Sequence, residues 1–172
     1  KSLHVGGGDF AERWHKIAKT NGKEADLLEV EWGKAVKPEE IEKKLDTGQY
    51  DCLFVTHSET STGVLHPIKE IGEIVKKYPN VLYLVDAVSS LGGAEIKTKE
   101  WGIDVLISAS QKCLAVPPGL AIVIASERAI KRAEEVENRG YYFDFLLMKK
   151  HFDEKGETPI TPAVTLFYAL DC

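Results

Sequence analysis

Long hydrophobic runs are missing from this chain of 172 residues. The longest apolar stretch, residues 113–125, is broken by Pro117-Pro118 and is too short to cross a bilayer, so neither a membrane span nor a signal segment is expected. Cysteine is scarce. Cys52, Cys113 and Cys172 are odd in number and show no metal-ligand spacing, which argues against a disulfide framework and fits a reducing, cytoplasmic setting. An excess of positive charge is also lacking. The net charge of −5 gives no reason to expect nucleic acid or an anionic membrane surface as partner. The basic pairs Lys76-Lys77 and Lys149-Lys150 are short and read as solvated helix faces. His4, His15, His57, His66 and His151 form no metal-spaced set, and no internal repeat or low-complexity segment is visible.

What is present is ordinary for a globular domain: 44% hydrophobic and 28% charged residues, enough to bury a core. Helix and strand signals alternate, which predicts an α/β layer architecture. Residues 1–5 read as the tail of a strand. Gly6-Gly7-Gly8 reads as a flexible lead into a helix capped by Asp9, with Phe10, Trp14, Ile17 and Ala18 on one face and Gly22 as its stop. It lacks the spacing of a phosphate-binding loop. Strands are expected at 26–32, 51–57, 81–86 and 103–110, and helices at 38–45 and from Pro67, the latter burying Ile68, Ile71, Ile74, Val75 and Tyr78. Residues 120–125 follow Lys112 too closely for a helical crossover, so that strand is expected to be antiparallel. The whole predicts a mostly parallel sheet with one antiparallel strand, flanked by helices. Further helices are expected at 127–138, at 141–152 and from Ala163 to the end of the chain, and the chain reads as a central piece of a larger protein.

Two residues stand out chemically. Asp86 ends the apolar run Val81-Leu82-Tyr83-Leu84-Val85, and Lys112 follows the run that begins at Ile103. Buried parallel strands read this way, and open α/β sheets bind ligands at the carboxyl ends of their strands. A carboxylate able to pair with a pyridinium nitrogen and an amine able to form a Schiff base are what pyridoxal phosphate needs. Apart from Cys113, no other ionisable side chain lies between Ser108 and Leu120, so Lys112 is expected in a desolvating environment that favours the neutral amine. Pro117-Pro118-Gly119 would stiffen the turn after it. Plainer readings stand beside these: a solvated surface lysine, and an aspartate that caps a helix or a turn. Cys113 reads as a small buried apolar residue. Residues 58–63 read as a polar turn or a hydroxyl-rich ligand loop, residues 89–93 as a plain loop or a close approach to a flat ligand, and His57 as a loop histidine or a ligand neighbour.

Three strings occur in order: Val55-Thr56-His57-Ser58-Glu59-Thr60-Ser61-Thr62-Gly63-Val64-Leu65, Val85-Asp86-Ala87-Val88-Ser89-Ser90-Leu91-Gly92-Gly93, and Ser108-Ala109-Ser110-Gln111-Lys112-Cys113-Leu114-Ala115-Val116-Pro117-Pro118-Gly119-Leu120. Together, and with the interval between Asp86 and Lys112, they resemble the class V aminotransferases of fold type I, nearest to the alanine–glyoxylate and serine–pyruvate branch. The resemblance extends to Phe10-Ala11-Glu12-Arg13-Trp14 and to residues 158–170. It implies the central part of a large cofactor-binding domain, with pyridoxal 5'-phosphate as cofactor and a homodimer as the assembly. It further implies Lys112 as Schiff-base lysine and acid–base group, Asp86 on the pyridine nitrogen and Val88 against the ring. Thr60 would bond the ring hydroxyl oxygen, Gln111 would reach the phosphate, and Thr161 would reach the phosphate bound in the neighbouring subunit. Thr158 stands where some relatives carry a tyrosine. The family's phosphate loop, the aromatic stacking on the other ring face, and the small domain with its carboxylate-clamping arginine would lie outside these residues.

The implied reaction moves an amino group from serine or alanine to pyruvate or glyoxylate; an aspartate or aminophosphonate donor stays open. A cysteine desulfurase or lyase of the same class is an alternative, although Gln111 stands where desulfurases place a histidine before the lysine. A non-catalytic α/β module binding a nucleotide or a protein is another.

Overall fold

The computed structural model describes residues 1–171. Its strands are β1 (Ser2–Val5), β2 (Ala25–Leu28), β3 (Cys52–Thr56), the short hairpin β4 (Ser58–Glu59) and β5 (Val64–Leu65), β6 (Leu82–Asp86), β7 (Val105–Ala109) and β8 (Ala121–Ala125). Its helices are α1 (Asp9–Thr20), α2 (Pro38–Leu45), α3 (Ile68–Val75), α4 (Glu127–Glu134), α5 (Phe145–Lys155) and α6 (Val164–Asp171). Six strands form one sheet in the order β2-β1-β3-β6-β7-β8, all parallel except β8, which runs antiparallel to β7. The expected architecture is the one observed. None of these helices is long and apolar enough to cross a membrane.

Alternation along the strands assigns each face its partners. Leu3, Val5, Leu53, Val55, Tyr83, Val85 and Leu106 point to one side and join Ile41 and Leu45 of α2 and Ile68, Ile71 and Val75 of α3 in the core. Gly72 lets α3 lie close beneath Trp101, because a Cβ there would meet the Trp101 carbonyl oxygen at 2.0 Å. His4 and Phe54 point to the other side, where they stack at 4.4 Å and meet Trp14 of α1. α1 covers this face over β1, β2 and β3 but not over β8, where Val123 is 45% exposed.

Several boundaries differ from the sequence reading, and those below have a local reason. β2 stops at Leu28 rather than Trp32 because its only partner, β1, ends at Val5. Asp9 is the first residue of α1, not its cap; Gly8 occupies that place. α4 ends at Glu134 rather than Asn138, since Glu134, Glu135 and Glu137 oppose the negative end of the helix dipole. α5 starts at Phe145 rather than Tyr141, because the Asp144 side chain accepts the Leu146 and Leu147 N–H groups, and it runs on to Lys155 before Gly156 turns left-handed.

The amino ends of the strands are tied by one carboxylate. Asp104, almost fully buried, accepts the Tyr83 N–H at 2.8 Å, the Ser126 hydroxyl at 2.9 Å and the Arg128 Nε–H at 2.9 Å. Arg128 also donates to the Pro79 and Val81 carbonyls. This joins β6, β7 and α4. Asp104→Ala leaves the buried Tyr83 N–H unpaired, which alone costs about 1–3 kcal/mol. The expected outcome is a lower urea midpoint with unchanged slope, read by circular dichroism; an unmoved midpoint refutes the tie.

Candidate active site

Parallel pairing brings Thr56, Asp86 and Ile107 level with one another at the carboxyl end of the sheet. Three segments leave from that level: residues 57–63 after β3, residues 87–93 after β6, and the turn carrying Lys112 after β7. They are stitched together. The His57 N–H donates to the Asp86 carbonyl at 2.8 Å, and its Nδ1 lies 2.9 Å from the Ser90 hydroxyl. Thr60 Oγ1 is 2.9 Å from Ser89 Oγ, and the Cys113 thiol donates to the Ser89 carbonyl at 3.3 Å. Ser89 thus sits between the segments that carry Thr60 and Lys112, directly after Asp86 and Val88.

Asp86 is 7% exposed, and its Oδ1 accepts the Val88 N–H at 2.9 Å. It shares the face of the sheet that α1 covers. Burial pushes its pKa up against the pull of the Val88 N–H and the Trp14 indole, and the nearby Glu59 carboxylate adds to the upward push. Among the described residues no cation stands close enough to draw it back down.

Lys112 is exposed, contrary to the desolvated environment expected from its uncharged neighbours. The turn stands proud of the sheet edge, and low local charge in sequence does not amount to cover in space. Cys113 is exposed for the same reason, not buried as expected. The turn is nevertheless well fixed. Ser110, fully buried, donates to the Pro117 carbonyl at 2.7 Å and accepts the Leu120 N–H at 3.3 Å. Ala115, whose N–H bonds the Lys112 carbonyl at 2.9 Å, is left-handed at φ 55°, a conformation that costs an alanine about 1–2 kcal/mol. Val88 is half-buried, whereas Thr60 and Gln111 are exposed at the same edge. Thr161 is exposed in the segment between α5 and α6, and no hydrogen bond ties it to the other candidates.

His57 is buried, 4% exposed, and residues 58–63 form a β-hairpin turn around a buried acid. That acid, Glu59, is fully buried, which its place in a polar loop does not suggest. The available signal was a lone carboxylate within a run of hydroxyls. Gly6-Gly7-Gly8 is no flexible lead-in: a Cβ on Gly8 would lie 2.3 Å from Glu59 Cγ.

The family model for aminotransferase class V matches residues 10–171. This chain belongs to the class V aminotransferase family. It is 46% identical to an uncharacterized aminotransferase of Methanocaldococcus jannaschii, covering 99% of this chain and 45% of that protein. It is 35% identical to a serine–glyoxylate aminotransferase of Methylorubrum extorquens, over 95% of this chain and 42% of the relative. The crystal structure of an alanine–glyoxylate aminotransferase from Nostoc sp. superposes with a TM-score of 0.91 at 32% identity, over 98% of this chain and 45% of that one. The chain therefore spans about half the length of the relatives it matches. The donor set fits the family's cofactor: a buried carboxylate without a counter-ion suits a protonated ring nitrogen, with hydroxyls and a primary amine at the same edge.

Buried histidines make this fold acid-sensitive. Burial pushes the pKa of His4 and of His57 down to about 4, from an ordinary 6.5. The unfolded chain therefore binds protons first as pH falls. The contribution is intact above pH 6.5 and is lost between 6.5 and about 4, at up to about 1.4 kcal/mol per pH unit for each group. Denaturation midpoints measured from pH 7 to 4.5 should fall along this window, and His57→Gln should flatten the fall. An equal slope in that variant refutes the assignment to His57.

Proposed function

We propose that the protein is a pyridoxal 5'-phosphate-dependent aminotransferase that moves an amino group from a small amino acid, serine or alanine, to a small 2-oxo acid, pyruvate or glyoxylate, and that it works as a homodimer. The observation that carries this reading is a buried carboxylate lacking a counter-ion, Asp86, on a strand next to the one that leads into the exposed amine of Lys112, with Ser89 joined to the Lys112 turn. Names among the relatives, serine–glyoxylate and alanine–glyoxylate aminotransferase, support the substrate class.

Bound pyridoxal phosphate supplies an electron sink for the α-carbon of an amino acid. Asp86 would hold the proton on the ring nitrogen, since an adjacent anion favours the charged form, and the cation would in turn keep Asp86 ionised. Lys112 would hold the cofactor covalently through its amine and, once displaced by substrate, move the proton at the substrate α-carbon as general base and acid. An amine on an exposed turn has the freedom to do both. Val88 would pack against the ring, Thr60 would donate to the ring hydroxyl oxygen, and Gln111 would bond the phosphate. Thr161 would serve the phosphate site of a second subunit. Support for that partner comes from the exposed aromatic residues Tyr141, Phe143, Phe152, Phe167 and Tyr168, apolar side chains that a second subunit would cover.

Borohydride reduction of the cofactor-loaded protein, followed by peptide mass spectrometry, should place the adduct on Lys112. Lys112→Ala should lose the adduct and steady-state transamination while keeping its circular dichroism spectrum; retained turnover refutes the assignment. Asp86→Asn should slow transamination by about a hundredfold, the scale of losing one preorganised electrostatic partner. An unchanged rate would assign ring protonation to another group. Absence of any adduct in the wild-type protein would favour a non-catalytic module.

A further inference from the structure

We propose that Glu59 is a positioning residue: its buried carboxylate clamps residues 58–63 onto the amino end of α1 and thereby aims Thr60 into the cofactor site. The clamp stands on contacts within this chain, and the aiming of Thr60 rests on the function proposed above.

The first N–H groups of α1 have no partner within the helix, and Gly8, at the cap position, has no side chain to offer. The partners come from the hairpin instead. Glu59 Oε2 accepts the Ala11 N–H at 2.9 Å, and Ser61 Oγ accepts the Asp9 N–H at 3.1 Å. The other Glu59 oxygen, Oε1, accepts the Ser61 N–H at 3.1 Å and the Ser61 hydroxyl at 2.8 Å, which closes the unit. A carboxylate at this end also meets the positive pole of the helix dipole. Gly8 is part of the device, since a Cβ there would collide with Glu59 Cγ at 2.3 Å and Cδ at 2.4 Å.

Glu59 and Ser61 both bond α1, while Thr60 between them bonds Ser89 at the site edge. The hairpin strands are only two residues long and bury little of their own, so the hairpin alone cannot hold Thr60 steady. Its direction is set by the two flanking side chains. The same device fixes the distance between α1, which brings Trp14 to Asp86, and the loop that carries Thr60.

The test uses the full-length protein. Glu59→Gln keeps the shape and loses one of the two carboxylate acceptors. In cofactor-free protein, hydrogen exchange at whichever of the Ala11 and Ser61 amides faces the new NH2 group should quicken by about tenfold or more, the scale of one charge-assisted hydrogen bond. The dissociation constant for pyridoxal phosphate, read by visible absorbance, should rise by about the same factor, as it should in Thr60→Ala. The double variant should bind no more weakly than the weaker single variant, because residues acting through one another are not additive. Unchanged exchange at both Ala11 and Ser61 overturns the clamp. Additive losses of affinity overturn the aiming of Thr60. Should Glu59→Gln not fold, Ser61→Ala removes the Asp9 contact and one of the two Ser61 bonds to Glu59, and it is read by hydrogen exchange at Asp9, which should quicken; unchanged exchange there overturns the clamp. A wild-type protein that takes up no cofactor overturns the proposed function, and the aiming of Thr60 with it, while exchange at Ala11 and Ser61 still decides the clamp.

Discussion

Everything at the carboxyl edge depends on the parallel register of β3, β6 and β7. Because Thr56, Asp86 and Ile107 stand level, three unrelated loops leave the sheet at one height and side by side. A slip of one residue in β6 would turn Asp86 to the opposite face, into the apolar core that Val85 now enters. The register is held by that core. Leu53, Val55, Tyr83, Val85 and Leu106 can all be buried together only in this alignment.

The two ends of the sheet use buried polar groups differently. At the amino end, Asp104 receives donors from Tyr83, Ser126 and Arg128, and its charge is matched by the Arg128 guanidinium. At the carboxyl end the Glu59 carboxylate lies close enough to Asp86 to disfavour the ionisation of Asp86. Glu59 is matched by N–H and hydroxyl donors, whereas Asp86 is matched by one backbone N–H and the Trp14 indole. An anion that burial disfavours and no cation relieves is a poor stabiliser of a fold. It is the ordinary condition of a group whose partner is something other than protein.

Much of this was legible in the chain. Apolar runs ending in Asp86 and leading to Lys112 set both residues at strand ends. The short link from Lys112 to residues 120–125 fixed β8 as antiparallel. Local chemistry was read less well where the decisive partner is distant in sequence. Asp9 resembled a cap because caps are looked for next to helices, yet the capping carboxylate comes from Glu59, across forty-eight residues. The exposure of Lys112 and Cys113 does not follow from their sequence, since a run without charge says nothing of what lies over it. The burial of His57 is equally hidden there, because its partner Ser90 belongs to another strand's loop.

The contrast between Asp86 and Lys112 follows from what each has to do. Asp86 ends a strand held on both sides by β3 and β7, so its carboxylate has little freedom. Lys112 sits on a turn whose ends are fixed by Ser110 and Pro117 but whose crest is exposed. A group that only holds a charge in place works best when it is rigid, since reorganisation would consume the stabilisation. A group that must first hold a molecule and then move a proton needs a tethered but mobile amine. Placing the first inside a sheet and the second on a stapled turn meets both requirements with neighbouring strands, and it explains why the lysine does not itself belong to β7.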